Sequence, residues 1–174
     1  MSIARDFAVT HPPDNSQPPA TSHWSAELED AAATERLGAK LAPCLNPGMR
    51  IYLRGDLGSG KTTLARGLLR ALGVQSGVRS PSYSLVEPYV VSRLHLYHFD
   101  FYRFNDPGEL RDAGLAEHFR GDGVCLVEWP ERAGEQLPPP DLEIVLGYSG
   151  TARTARIAAV TDMGVQCLGR LRED

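Results

Sequence analysis

Cysteine is scarce in this chain of 174 residues, and the three present, Cys44, Cys125 and Cys167, lie far apart with no Cys-x-x-Cys spacing. An odd, scattered set excludes a disulfide framework and a cysteine-based zinc site, and reads instead as buried thiols in a reducing cytoplasm. Long apolar runs are missing too. Nothing approaches the roughly 20 residues that cross a bilayer, and the N-terminus lacks a basic stretch followed by an apolar one, so a cytoplasmic location without membrane contact is expected. Positive charge is in deficit: 18 Lys and Arg stand against 22 Asp and Glu, a net charge of −4. That balance supplies no broad electrostatic footprint for nucleic acid, so DNA is not expected as a ligand and any RNA contact is local or indirect. Also missing are the Asp-x-x-Gly and Asn-Lys-x-Asp strings with which Ras-type proteins sense and read guanine nucleotides. ATP is therefore favoured over GTP wherever a nucleotide site is found.

What is present is apolar material for one ordinary core, 42% of the chain. Residues 1–22 contain the proline-rich "THPPDNSQPPATS" and are expected to form a disordered leader. From Ser25, "SAELEDAAATERLGAKLAPCL" predicts a helix capped by Ser25, with Leu28, Ala31, Ala32, Leu37 and Leu41 at mostly helical spacing. "MRIYLRG" and "TTLARGLLRALG" predict a strand and a helix on either side of a glycine-rich turn. "RSPSYSLVEPYV" begins with turn chemistry and becomes β-rich, while "LHLYHFDFYRF" and "GVCLVEW" are apolar throughout, as strands covered on both sides are. Asp106 before Pro107 predicts a helix over "DPGELRDAGLAEHF". "LEIVLGY" and "TARIAAV" flank "SGTAR" as an antiparallel hairpin, and residues 166–174 are expected to fray. This order predicts an α/β fold, a P-loop NTPase-like three-layer sandwich with a mainly parallel central sheet and antiparallel additions at the C-terminal side, in a single domain over residues 23–165.

The glycine-rich turn reads Gly-Asp-Leu-Gly-Ser-Gly-Lys-Thr over residues 55–62 and satisfies G-x-x-x-x-G-K-[ST] between a strand and a helix. Such a loop converges successive backbone N–H groups on phosphate oxygens, with the helix N-terminus adding its positive end. Asp56, Leu57, Gly58, Ser59, Gly60, Lys61, Thr62 and Thr63 are the expected nucleotide-binding run. Lys61 would reach the outer phosphates as a point charge, and the Thr62 hydroxyl would be a ligand of Mg²⁺.

Phosphoryl chemistry also needs carboxylates beside the loop, from the ends of other strands. Asp100 closes "LYHFD" and fits a Mg²⁺ partner, directly or through water, or else a surface aspartate at a strand end. Glu128 closes "VCLVE" and fits the group that orients or activates water, or else a strand-end glutamate paired with Arg132. Trp129 fits the edge of a base pocket and fits equally the closing of the core. His95 and His98 lie near Asp100 but read as satisfied core or edge histidines rather than metal ligands. Arg66, Arg70 and Arg79 read as a solvated face or a docking face. Ser80 to Glu87, "SPSYSLVE", stands where related proteins place a segment that senses the outermost phosphate, with hydroxyls at Ser80, Ser82 and Ser84.

Taken together, "GDLGSGKTT", "SPSYSLVEPY", "YHFDFYR", "CLVEWPER" and "LPPPDLEI" make the chain resemble the TsaE family, small bacterial P-loop ATPases of tRNA threonylcarbamoyladenosine synthesis, from about Glu27 to Val160. The resemblance implies that Lys61 and Thr62 bind phosphate and Mg²⁺, that Asp100 belongs to the metal site, that Glu128 is the acidic residue of ATP hydrolysis, and that Trp129 lies beside the nucleotide. It implies two partner proteins, TsaB and TsaD, which place threonylcarbamoyl on the adenosine beside the anticodon, so that tRNA is reached only through them. The ATPase would support repeated turnover rather than perform the transfer. The family commonly has Thr where this chain has Ser82 and Ser84. A small-metabolite or nucleoside kinase is the rival reading, with "RFNDPGELRDAG" as its lid and an arginine near each end to clamp the transferred group.

Overall fold

The computed structural model describes residues 22–75, 77–92 and 94–173; apart from Ser22, the expected leader lies outside the described residues. Among them, seven strands form one sheet: β1 (His23–Leu28), β2 (Arg50–Arg54), β3 (Val86–Val91), β4 (Leu94–Asp100), β5 (Val124–Glu128), β6 (Leu142–Ser149) and β7 (Ala152–Ala159). They lie in the order β1-β7-β6-β2-β5-β4-β3. β6, β2, β5 and β4 run parallel at the centre. Antiparallel strands border both edges, β7 and β1 beyond β6 and β3 beyond β4, rather than the C-terminal side alone. The added β3 follows from a tight reversal at Ser92, whose φ of 55° sends the chain straight back; antiparallel neighbours need only a hairpin.

The central strands are apolar on both faces because both are covered. Ile51, Leu53, Leu96 and Leu126 enter one core, and Tyr52, Phe99, Cys125 and Val127 enter the other, as the two-residue alternation of a strand dictates. The first face carries helices α1 (Ala31–Leu41), α2 (Lys61–Ala71) and α4 (Asp162–Glu173). The second carries α3 (Glu109–Asp112) and the 3₁₀ turn Leu115–Arg120.

Three local expectations are corrected. The helix predicted from Ser25 begins at Ala31, and its cap is Asp30, whose carboxylate accepts from the Ala33 N–H at 2.7 Å. Residues 23–28 are instead β1, with Trp24 and Leu28 turned to the core. The predicted helix after Asp106 shrinks to the single turn of α3, because Gly114 at φ 70° breaks it. Of the residues expected to fray, 166–173 lie on α4 instead, with Cys167, Leu168 and Leu171 buried.

Helices α1 and α2 meet at unusually short range. A methyl group added at Gly67 would overlap the Glu35 carbonyl, and one at Gly38 would overlap that of Leu64. Backbone thus packs on backbone, and α2, whose N-terminus ends the glycine-rich turn, is held against the sheet without slack. Asp100 and Glu128 are direct neighbours at the carboxyl ends of β4 and β5. Both therefore emerge beside the turn, where ligands of open α/β sheets bind.

Candidate active site

The chain leaves β2 at Arg54 and enters α2 at Lys61. Gly55 and Gly60 hold φ values of 134° and 109°, which side chains rarely adopt, and at Gly55 a Cβ would also overlap the Leu146 carbonyl. The first N–H groups of α2 have no acceptor within the helix. Leu57, Gly58, Gly60, Lys61, Thr62 and Thr63 line part of a cleft of about 330 Å³, whose remaining lining is Ser80, Ser82, Asp100, Tyr102, Arg103, Glu128 and Trp129. Two members of the predicted nucleotide-binding run do not line it: Asp56 is exposed outside the cleft and Ser59 lies beneath it. Asp56 uses its carbonyl to accept from Ser59 N–H and from Lys61, and Ser59 is fully buried.

Lys61 is 4% exposed. Its ammonium donates to the carbonyls of Gly55 (2.6 Å) and Asp56 (2.8 Å) and lies 4.0 Å from the centre of the Trp129 ring. Burial pushes its pKa below the ordinary lysine value, while Glu128, Glu131, Asp100 and Asp56 pull the other way.

Glu128 is buried, and its partners are Thr62 and His98 rather than Arg132. The Thr62 hydroxyl, 2.9 and 3.0 Å from its two oxygens, donates one proton to the carboxylate, and His98 Nε2 lies 2.9 Å from Oε1. Asp100 accepts from the Tyr102 N–H at 2.9 Å and from the Ser80 hydroxyl. Its own N–H donates to the Leu85 carbonyl, so the segment after Ser80 is tied to the end of β4 at both places. Ser82 lines the cleft, whereas Ser84 is exposed and does not. Trp129 adopts a left-handed backbone, φ 58°, that turns the chain sharply after Glu128. Its ring both lines the cleft and packs against the aromatic core, 5.1 Å from Tyr102.

His95 is exposed and His98 buried. Among the described residues no group of three or more His, Cys, Asp or Glu is arranged to hold a metal alone. Arg66 and Arg70 both pair with Glu35 of α1, at 3.3 and 3.1 Å. The predicted lid is anchored by buried Phe104 and Leu110; Arg103 lines the cleft and Arg111 does not. No helix among the described residues is long and apolar enough to cross a membrane.

Sequence reasoning had Arg103 only as a lid arginine of the kinase reading; it missed Tyr102, which with Arg103 follows Asp100 into the cleft, and Tyr148 and Arg153, which reach the carbonyls of Leu57 and Gly58 from the β6–β7 hairpin. The first pair carried a usable signal, because residues just beyond a strand-end carboxylate share its end of the sheet. The second pair carried none, since their sequence separation from the turn is above 90 residues.

The sheet order and the glycine-rich turn between β2 and α2 define a P-loop-type α/β protein. Residues 28–156 match the family described as threonylcarbamoyl adenosine biosynthesis protein TsaE, and the chain belongs to that family. It is 40% identical over 142 residues to the tRNA threonylcarbamoyladenosine biosynthesis protein TsaE of Haemophilus influenzae, covering 79% of this chain and 90% of that protein. The protein of the same description from Bacillus subtilis is 43% identical over 122 residues, 70% of this chain and 74% of its own length. The crystal structure of Bacillus subtilis YdiB superposes with a TM-score of 0.76 at 31% identity, covering 88% of this chain and 97% of that one.

Proposed function

We propose that this chain is the Mg²⁺-dependent ATPase of tRNA threonylcarbamoyladenosine synthesis, hydrolysing ATP to ADP and phosphate in support of a TsaB–TsaD complex that modifies tRNA. The observation that carries this reading is the convergence of Lys61, Thr62, Asp100 and Glu128 on one cleft at the N-terminus of α2, in a member of this family.

The donor set fits both ligands. The unbonded N–H groups of the first turn of α2 and a buried ammonium suit a polyphosphate. A hydroxyl and two carboxylates are hard oxygen donors, and Mg²⁺ is ordinarily held by one or two carboxylates together with substrate phosphates rather than by a full protein cage. Thr62 and Asp100 would hold it, and the ion would draw electron density from the phosphate oxygens. Lys61 would release the Gly55 and Asp56 carbonyls and turn to the outer phosphates. Glu128 would accept a hydrogen bond from water and aim it at the γ-phosphorus: the water oxygen forms a bond to phosphorus as the bond to the β–γ bridging oxygen breaks, ADP leaves with that bond's electron pair, and the water's proton passes to the Glu128 carboxylate. Loss of hydrolysis with retained ATP binding in Glu128→Gln is the expected result. The test measures calorimetric affinity and phosphate release, with and without TsaB and TsaD of the same organism. Turnover indifferent to those proteins, or unchanged in Glu128→Gln, would sink the reading and return attention to a kinase acceptor.

A further inference from the structure

His98 was expected to be a satisfied core or edge histidine, and its surroundings suit a more specific task. It has no exposed surface, and one ring nitrogen, Nε2, lies 2.9 Å from Glu128 Oε1. The other, Nδ1, is buried with no hydrogen-bond partner among the described residues. A buried N–H without an acceptor is costly, whereas a bare ring nitrogen forgoes only an acceptor's bond. A proton on Nε2 is therefore directed at the carboxylate, whereas one on Nδ1 would find no acceptor among the described residues. Strand register explains the placement. His98 pairs with Leu126 and Asp100 with Glu128, so His98 sits two residues before Asp100 on the same face, within reach of a Glu128 side chain leaning back along β5.

We infer that His98 is a positioning residue that clamps Oε1 of Glu128 and leaves Oε2 to face the water, an inference that rests on the hydrolytic reading above. Glu128 has two holds in this structure, and they are not equivalent. The Thr62 hydroxyl is also the group assigned to the metal. The imidazole is locked by burial and has no other acceptor. Without it, the carboxylate keeps Thr62 as its one hydrogen-bonding side-chain partner among the described residues and is free to rotate toward the Lys61 ammonium. A misplacement of this kind costs rate without costing substrate binding, because the binding groups are elsewhere.

The experiment compares wild type, Glu128→Gln, His98→Leu and His98→Gln, each checked for a cooperative thermal melt. Phosphate release is measured with TsaB and TsaD present, and Mg·ATP affinity by calorimetry. His98→Leu is expected to lower kcat by about 10- to 100-fold with affinity unchanged. His98→Gln, whose amide N–H can reach the position of Nε2, is expected to recover most of the rate, which mere space-filling would not produce. Nitrogen NMR of the free wild-type protein gives a readout independent of turnover: a proton on Nε2, with its signal shifted in Glu128→Gln. A full rate in His98→Leu alongside a lost rate in Glu128→Gln overturns the positioning role and leaves the hydrolytic reading intact. A bare Nε2 likewise overturns the positioning role, and a full rate in Glu128→Gln overturns both. Should His98→Leu fail to melt cooperatively, His98→Gln and the nitrogen spectrum decide: recovery with the expected proton supports the clamp, and a lost rate in a folded His98→Gln rejects it.

Discussion

The two faces of the sheet hold the two sides of the cleft by different means. Beneath the glycine-rich turn, the 11-residue helices α1 and α2 touch backbone to backbone at Gly38 and Gly67, and the rest of that core is largely aliphatic. Beneath the segment after Asp100, regular structure nearly runs out, and aromatic rings do the holding: Phe99 stacks on Phe119 at 4.9 Å, and Phe101 on Phe104 at 4.6 Å. The side bearing Lys61 and Thr62 is positioned by a rigid element with no room to shift. The side bearing Asp100, Tyr102 and Arg103 is positioned by anchors spaced along irregular chain. A rigid loop for a polyphosphate and a separately anchored acidic edge is the division a site needs if one side must accept the ligand unchanged and the other must respond to it.

The sharpest way to break this contrast is to remove an aromatic anchor. Phe101 is fully buried, and Phe101→Ala is expected to cost about 4 kcal/mol from lost burial and cavity formation. That corresponds to a fall in melting temperature of about 10 °C for a chain of this size. Nucleotide affinity in the folded fraction should fall less than hydrolysis, because the damage lies on the acidic side. Melting by calorimetry and single-turnover phosphate release check both parts; equal losses in binding and rate would dissolve the distinction between the two sides. The reciprocal change is Gly67→Ala. The added methyl meets the Glu35 carbonyl, which belongs to backbone and cannot rotate away, so about 2–3 kcal/mol of overpacking is expected. Here affinity should suffer first, since α2 carries Lys61 and Thr62. A variant as stable as wild type would show that the helices can separate freely.

How much of this was legible beforehand follows the same division. The turn between β2 and α2 could be read because its demands are local: glycines where φ is positive, then Lys-Thr at a helix start. Asp100 and Glu128 could be singled out because each ends an apolar run, although their being neighbours depends on the register of β4 with β5, which no single strand encodes. β1 was missed because its partner β7 is distant in sequence and pairs with it as Trp24 with Ile157, while Ser25 and the acids after it imitate a helix start. The true cap, Asp30, lay five residues on. The terminal helix was hidden by its charges, though Cys167, Leu168 and Leu171 carry a helical spacing. His98 was read as core, which its burial matches, but its contact with Glu128 is tertiary and needed the sheet to be seen.

The smallest expected effect tests the two cores against each other through their thiols. Cys125 lies in the aromatic core and Cys167 in the aliphatic one, and burial pushes both up to about 12. Cys167 also has Cys44 beside it, which raises its pKa further, whereas Arg50 acts downward on Cys125. Unfolded thiols release their protons near pH 9, the ordinary value. Above that pH the unfolded chain has lost protons that the folded chain still holds, so stability is intact below about pH 9 and falls as pH rises toward 12. Each thiol contributes at most about 1.4 kcal/mol per pH unit in that window. Urea midpoints taken from pH 8 to 10 should therefore decline less steeply in Cys125→Ala and in Cys167→Ala than in wild type, whatever each substitution costs at pH 8. Slopes unchanged from wild type in one variant alone would mark that thiol as reachable by water, and with it the core that opens first.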